Sequence, residues 1–165
     1  MIRSGMYHSP METSGTISLR GDMIRYEIAS GGWELPIGGV RVIGEATTDH
    51  GPFADDYWLC FATSPNEWYQ ASFYAEGREE FVKALSARLG AQLKLHLVAS
   101  TNFASRVLWP SPLKDKPMFL YTDKWPTNSL LGMVVKLLGG PFRNVQTYAP
   151  EVERYLQEAA LSQSK

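Results

Sequence analysis

The sequence predicts an α+β fold, in which helices cover a bent antiparallel sheet or partial barrel. Three observations lead to this class. Apolar and polar residues alternate over much of 16–75, which is the period of half-buried strands. The apolar period then becomes helical over about 78–89, and two further helices are expected near the C-terminus. The composition agrees, because 44% of the 165 residues are hydrophobic and 20% are charged.

A hairpin and an edge segment are predicted first. Residues 16–20 and 24–28 alternate between apolar and polar side chains and flank a Gly-Asp dipeptide, which favours a tight turn. Residues 33–37 are predicted at the edge of the sheet, because Pro36 has no N–H to donate to a neighbouring strand. A further strand is expected directly after them.

The middle of the chain predicts a second hairpin and then a helix. Residues 57–63 and 68–75 flank a Ser-Pro-Asn-Glu turn. Both faces of the first of these strands are apolar, which predicts a central strand covered on two sides. Apolar residues take helical spacing over about 78–89, and Gly90 supplies the left-handed residue that ends a helix.

Further strands and two helices are predicted in the C-terminal part. Alternation resumes over 93–99, and shorter strands are expected at 105–109 and 117–121. A short helix over 129–138 is apolar on nearly all sides. A last helix begins at Pro150 and carries one apolar stripe. Both helices are expected to cover the sheet.

A single domain is predicted to account for most of the chain. Residues 1–15 are rich in Gly, Pro, Ser and Thr and predict a disordered leader, whereas no linker divides residues 16–165. The first residues lack the apolar core of an export signal, and the lone Cys60 permits no internal disulfide. We therefore expect a protein of the reducing cytoplasm.

Charge is distributed unevenly, although 16 Lys and Arg nearly balance 17 Asp and Glu. Residues 22–80 hold eleven acids and three bases, whereas residues 81–147 hold nine bases and two acids. Either the two halves pair across the fold, or they present a contact surface to a charged partner or to a second copy. The balanced total excludes nucleic-acid binding through overall basicity.

Reactive side chains are densest in and beside the loop at 47–56. A hard cation needs several converging oxygens, and acid–base catalysis needs carboxylates in unlike environments, so this segment is an alternative site for either. Its spacing matches neither a calcium loop nor a zinc helix, and its residue types are also ordinary turn formers. No catalytic residue is assigned and no cofactor is expected. The alternative metal set consists of Glu45, Asp49, His50, Asp55 and Asp56.

Aromatic side chains are more abundant than reactive ones, with five Trp, eight Tyr and seven Phe. Amphipathic aromatics on a sheet face can anchor a partner, or they can pack beneath the C-terminal helices, and both interpretations stay open. Stacking on nucleic-acid bases is disfavoured, because the second hairpin is acidic. The candidate binding residues are Trp68, Gln70, Tyr74, Trp109 and Trp125.

The apolar stretch 129–138 leaves three roles open. It is too short to span a bilayer, which takes about 20 residues. A buried intramolecular helix is favoured over a protein interface and over contact with a membrane surface. The polar face that an interfacial helix needs is reduced here to Lys136.

The order of elements over residues 16–90 resembles that of bacterial pleckstrin-homology-like barrels. The similar part is the Trp58-Leu59-Cys60-Phe61 strand, a tight turn, the strand 68–74 and the helix 79–89. The resemblance implies a curved antiparallel barrel closed at one end by a helix and used as a binding scaffold. Two departures matter: only Arg20 and Arg25 stand where lipid-binding members carry a basic array, and residues 91–165 add strands and helices after the helix.

These observations predict a non-catalytic cytoplasmic binding or assembly module. It would act through protein–protein contacts, with a protein partner or a second copy of itself, and without nucleic acid or a membrane-spanning segment. The alternative is a metal-dependent or acid–base enzyme that uses the acidic loop.

Overall fold

The structure is a computed structural model, and it describes residues 14–48, 55–97, 103–123 and 144–163. Nine strands and two helices are found within these ranges, and strands predominate in the first half. The strands are β1 (Thr16–Arg20), β2 (Met23–Ile28), β3 (Gly31–Pro36), β4 (Val42–Thr47), β5 (Tyr57–Ser64), β6 (Glu67–Ser72), β7 (Ala104–Trp109), β8 (Phe119–Asp123) and β9 (Asn144–Tyr148). The helices are α1 (Arg78–Leu89) and α2 (Pro150–Gln163).

All strand pairs in the three sheets are antiparallel. One sheet has the order β1-β2-β3, the second has the order β6-β5-β4-β7, and the third is the pair β8-β9. The first two sheets are joined at their margins: the Ile17 N–H donates to the Glu76 carbonyl at 2.9 Å, and the Trp33 indole N–H donates to the Gln70 carbonyl at 2.9 Å. The α+β class with a partial barrel is therefore confirmed.

The four-stranded sheet is the central layer, with one apolar cluster on each face. On one face, side chains of β1, β2 and β3 pack with α1 against the inward side chains of β4 and β5, among them Ile43, Leu59 and Phe61. On the other face, β8, β9 and α2 cover Cys60 and Ala62. Successive residues of β5 thus enter different clusters, which confirms the prediction of a central strand covered on two sides.

Local signals placed several elements correctly. The helix predicted at about 78–89 is α1, and its C-cap Gly90 has a φ of 60°, the left-handed conformation that glycine adopts without a Cβ clash. Both predicted hairpins form, and β3 ends at Pro36 on the edge of its sheet. The last helix begins at Pro150 and buries Val152 and Leu156.

The strand predicted over 93–99 is wrong as far as residue 97. Exposure does alternate, with Leu93 buried and Lys94 exposed, but residues 92–97 join no sheet of the described chain. The backbone N–H groups of Leu93, His96 and Leu97 instead bond to side chains. The strand β9, which pairs with β8, was not predicted.

Some predictions fall on residues outside the described ranges. These include the helix at 129–138 and residues 1–13 of the predicted leader. The last two leader residues are described: the Ser14 hydroxyl donates to Asp55 at 3.1 Å, and the Gly15 carbonyl accepts from the Glu76 N–H at 2.8 Å. Neither described helix has the length and apolar character that crossing a membrane requires.

Candidate binding groove

A groove of about 420 Å³ lies between α1 and the segment 92–95. One wall is a flank of the helix, the opposite wall is the extended segment, and an aromatic ring forms the floor. The principal lining side chains are Val82, Lys83 and Ser86 on the helix, Leu93 and Leu95 on the segment, and Phe73 beneath. This volume is within the range of small binding sites, and the lining combines apolar surface with a few charged groups.

Helical periodicity explains which residues of α1 reach the groove. Arg78, Val82 and Ser86 are spaced four apart and therefore share one flank of the helix. Phe81 and Leu85, which are 2% and 1% exposed, point into the apolar cluster beneath. The side of α1 that lines the groove therefore lies between its buried residues, Phe81 and Leu85, and its solvent-exposed side.

Arg78, at one end of the groove, is held by contacts with Phe73 and Glu79. Its guanidinium carbon lies 4.0 Å from the centroid of the Phe73 ring, and it donates to the Phe73 carbonyl at 2.8 Å. It also pairs with Glu79 at 3.1 Å. Lys83 is exposed and forms no ion pair with any described residue. Lys83 is therefore the lining cation available to an incoming group.

The floor of the groove belongs to a chain of stacked aromatic rings. The Phe73 ring stacks on Tyr57 with centroids 4.0 Å apart and contacts Tyr74 edge-on at 5.5 Å. Tyr74 is 52% exposed, and its hydroxyl donates to Asp56 at 2.7 Å. This hydrogen bond, with burial and the adjacent carboxylates, raises the pKa of Tyr74 to about 12. Tyr74 therefore presents a neutral amphipathic ring beside the groove.

A buried carboxylate lies behind the floor. Glu45, on β4, is 0% exposed, and it is opposite Arg106 of β7 in the strand register. The guanidinium Nε of Arg106 donates to Glu45 at 2.9 Å, and its terminal nitrogen lies 2.7 Å from the same oxygen. The Tyr57 hydroxyl also donates to Glu45. Burial, followed by this bond to Glu45, raises the pKa of Tyr57 well above its usual value, so the phenol stays protonated.

The same network holds the second wall of the groove. The backbone N–H of His96 donates to both oxygens of Glu45 at 3.2 Å, and that of Leu97 lies 3.5 Å from one of them. Arg106 donates to the Lys94 carbonyl at 2.7 Å. The alternation in this segment predicts that its backbone bonds to a neighbouring strand, and the side chains of Glu45 and Arg106 bond to that backbone instead.

The residues of the alternative metal set are not gathered into one site by the described chain. The Glu45 carboxylate already accepts from an arginine, a tyrosine and backbone N–H groups, while Asp55 and Asp56 accept from Ser14 and Tyr74. Asp49 and His50 lie outside the described residues. Within the described ranges, no three His, Cys, Asp or Glu side chains are placed to share a metal ion.

The predicted binding residues are dispersed. Trp68 packs on Phe119 and Tyr148 at 5.5 and 5.3 Å, beneath the C-terminal elements, whereas Trp109 packs on the opposite apolar cluster. The half-buried Gln70 contacts the Cys60 sulfur at 3.7 Å. Trp125 lies outside the described residues. Tyr74 does not line the groove, but its ring contacts that of the lining residue Phe73.

Sequence reasoning missed the remaining groove residues. Phe73, Arg78 and Lys83 follow or belong to correctly predicted elements, but no local pattern indicates that α1 and the segment 92–95 stand apart with an aromatic ring between them. Comparisons with family models, curated proteins and solved structures found no match to this chain.

Proposed function

We propose that this protein is a non-catalytic binding module that contacts a segment of a partner protein in the groove beside α1. The observation that supports the proposal best is the composition of that groove. Its apolar walls adjoin Lys83, which is exposed and forms no ion pair with a described residue, and the Phe73 ring in its lining contacts the exposed Tyr74. Protein interfaces are enriched in aromatic residues and arginine, and Phe73, Tyr74 and Arg78 lie at or beside this groove. Charged residues lie at the rims of such interfaces, as Lys83 does here.

The interior of the described chain favours a surface role. Side chains of other elements cover both faces of the four-stranded sheet. The buried carboxylate of Glu45 already accepts hydrogen bonds from Arg106 and from the backbone N–H of His96. A catalytic carboxylate needs room for a substrate beside it. The geometry at Glu45 instead fits a structural anchor.

A peptide-display selection on the immobilised full chain tests the proposal. A random peptide library should yield sequences that bind saturably in solution, as measured by fluorescence anisotropy. Substitution Val82→Arg, which places a long cation on the groove wall, should weaken their binding by about tenfold or more. Selected peptides whose affinity is the same for this variant would place binding elsewhere, and a selection that enriches no peptide would contradict the proposal.

A matched control separates groove effects from general changes in charge. Ala84 is an exposed residue of the same helix, two positions from Val82, and therefore lies on another side of the helix and does not line the groove. Ala84→Arg adds the same side chain to α1 and should leave peptide affinity unchanged. Thermal unfolding of Ala84→Arg should match the parent, whereas Val82 packs partly against the apolar cluster, so Val82→Arg should unfold cooperatively at a somewhat lower Tm.

Other parts of the hypothesis rest on the sequence. We retain as proposals the kinship of residues 16–90 with pleckstrin-homology-like barrels, self-association and a cytoplasmic location; such barrels are binding scaffolds, which accords with the groove. The enzyme alternative depends on Asp49 and His50. Elemental analysis of the purified protein tests it: a stoichiometric metal that is lost from the Asp49→Ala/His50→Ala variant would favour that alternative.

A further inference from the structure

We infer that the segment recognised by the groove is an extended, acidic and apolar stretch of a partner protein, which lies along residues 92–95 and places a carboxylate at Lys83. This inference rests on the proposed function and specifies the partner. It follows from the charge of the groove, the backbone of its second wall and its length.

Charge complementarity selects an acidic segment. Two cations and one carboxylate line the groove, and Arg78 and Glu79 are paired with each other at 3.1 Å. Arg78 is also fixed against the Phe73 carbonyl and ring. Lys83 therefore supplies the lining charge that pairs with no described residue, and a carboxylate placed there gains attraction, whereas a second cation is repelled.

The backbone of the second wall selects an extended occupant. Residues 92–96 alternate between exposed and less exposed positions, as a strand does, yet they make no backbone–backbone hydrogen bond within the described ranges. Their known bonds go to side chains: the Leu93 N–H donates to Ser86 at 3.2 Å, and the His96 N–H donates to Glu45. The Leu93 carbonyl and the backbone N–H and carbonyl of Leu95 have no hydrogen-bond partner among the described residues, and an extended peptide can bond to these groups as an added strand.

The length of the groove sets the size of the contact. Arg78 and Ser86 at its two ends are eight residues apart on α1, which corresponds to about 12 Å at a helical rise of about 1.5 Å. An extended chain covers about 3.3 Å per residue, so about four residues of the partner fill the groove. Alternate side chains then point to the apolar walls at Val82, Leu93 and Leu95 and toward solvent.

Two synthetic peptides of about ten residues test the inference. One alternates Val or Leu with Glu, and its twin carries Lys in place of every Glu. Fluorescence anisotropy with the full-length protein should show about 1.5- to 5-fold tighter binding of the acidic peptide, which is the range expected for exposed ion pairs. Methylating alternate backbone nitrogens of the acidic peptide should weaken its binding by about tenfold.

Lys83→Glu is the deciding variant, and Lys114→Glu is its control. Both lysines are exposed, and both substitutions change the net charge equally, but Lys114 lies in the turn after β7 and does not line the groove. We expect Lys83→Glu to reverse the preference between the two peptides and Lys114→Glu to preserve it. Equal effects of the two variants, tighter binding of the basic peptide, or no binding of either at millimolar concentration would each overturn the inference.

Two further outcomes distinguish this inference from the proposed function. If the display selection yields groove-dependent peptides that are basic or helical, the acidic extended partner is refuted while the binding function stands. If sedimentation velocity shows a dimer that Lys83→Glu dissociates and the acidic peptide does not displace, the occupant is a second copy of the chain, and the inference is again refuted.

Discussion

Removing the Glu45 carboxylate should both destabilise the fold and release the second wall of the groove. Glu45→Ala leaves four groups without their acceptor: the Arg106 guanidinium, the Tyr57 hydroxyl, and the backbone N–H groups of His96 and Leu97. Glu45 is 0% exposed, so water does not readily replace the lost oxygens.

The expected loss lies at the lower end of the range for a broken buried ion pair, which is about 3–5 kcal/mol. The Arg106 side chain is 19% exposed, and in the variant it keeps its bonds to Asp115 and the Lys94 carbonyl. Its positive charge therefore retains partners and some contact with water. We expect about 3 kcal/mol, or a fall in Tm of about 6–12 °C for a chain of this size. Glu45→Gln keeps one acceptor oxygen and should cost about 1–3 kcal/mol.

Two measurements check this prediction at different scales. Urea unfolding followed by tryptophan fluorescence gives the change in the free energy of unfolding. Hydrogen exchange read by mass spectrometry reports the amides of His96 and Leu97 directly. Their exchange should accelerate more in Glu45→Ala than the global loss of stability explains, because their acceptor is removed locally.

Glu80→Ala is the matched control, because Glu80 is an exposed glutamate on α1. It should change stability by less than about 0.5 kcal/mol. If Glu45→Ala costs less than about 1 kcal/mol, or if exchange at His96 and Leu97 follows only global unfolding, Glu45 does not anchor the segment.

Three further predictions concern buried groups. Burial raises the pKa of Tyr57 above the value of about 10 that it has in the unfolded chain. The contribution of its protonated phenol to folding stability is therefore complete below about pH 10 and is lost as pH rises above that value. Urea midpoints should fall between about pH 9 and 11, and they should fall less steeply in Tyr57→Phe. Burial raises the pKa of Cys60 to about 12, so Ellman's reagent should react at about pH 8 only once urea unfolds the chain; rapid native reaction would contradict this burial. Gly44→Ala would place a Cβ 2.7 Å from the Arg106 carbonyl and should cost about 1–3 kcal/mol, whereas Gly38→Ala has no neighbour within 4 Å and should unfold like the parent.

The strands and helices that sequence patterns predicted are those in which neighbouring residues decide the structure. In α1, helical spacing, Gly90 and the buried Phe81 and Leu85 all agree. In β5, apolar residues on both faces indicated a central position, because each face needs its own cover. These signals are local, so no knowledge of the distant chain was needed.

The segment 92–97 shows where local reasoning stops. Alternation correctly indicated that Leu93 is buried and Lys94 is exposed, but it could not show what bonds the backbone. The acceptor is the side chain of Glu45, which is 51 positions from His96 in sequence. For the same reason Glu45 was assigned to a metal set, since its partner Arg106 lies 61 positions away.

Among the predicted binding residues, Tyr74 is the one that the described structure leaves largely exposed. An exposed aromatic beyond the end of a strand can be inferred from alternation, and Tyr74 is 52% exposed beside the groove. Trp68 has the same parity but is covered by Phe119 and Tyr148. Parity assigns a side chain to a face of the sheet, and it cannot tell whether another element covers that face.

By itself, the order of amino acids determined the class of fold, the bounds of its main helix and the two-sided burial of β5, because periodicity and turn chemistry act between neighbours along the chain. Only the tertiary structure decided that Glu45, Tyr57 and Arg106 meet, and that α1 and the segment 92–95 enclose a groove above Phe73. Such contacts depend on distances between elements that are far apart in sequence, and those distances are set by the packing of the whole core.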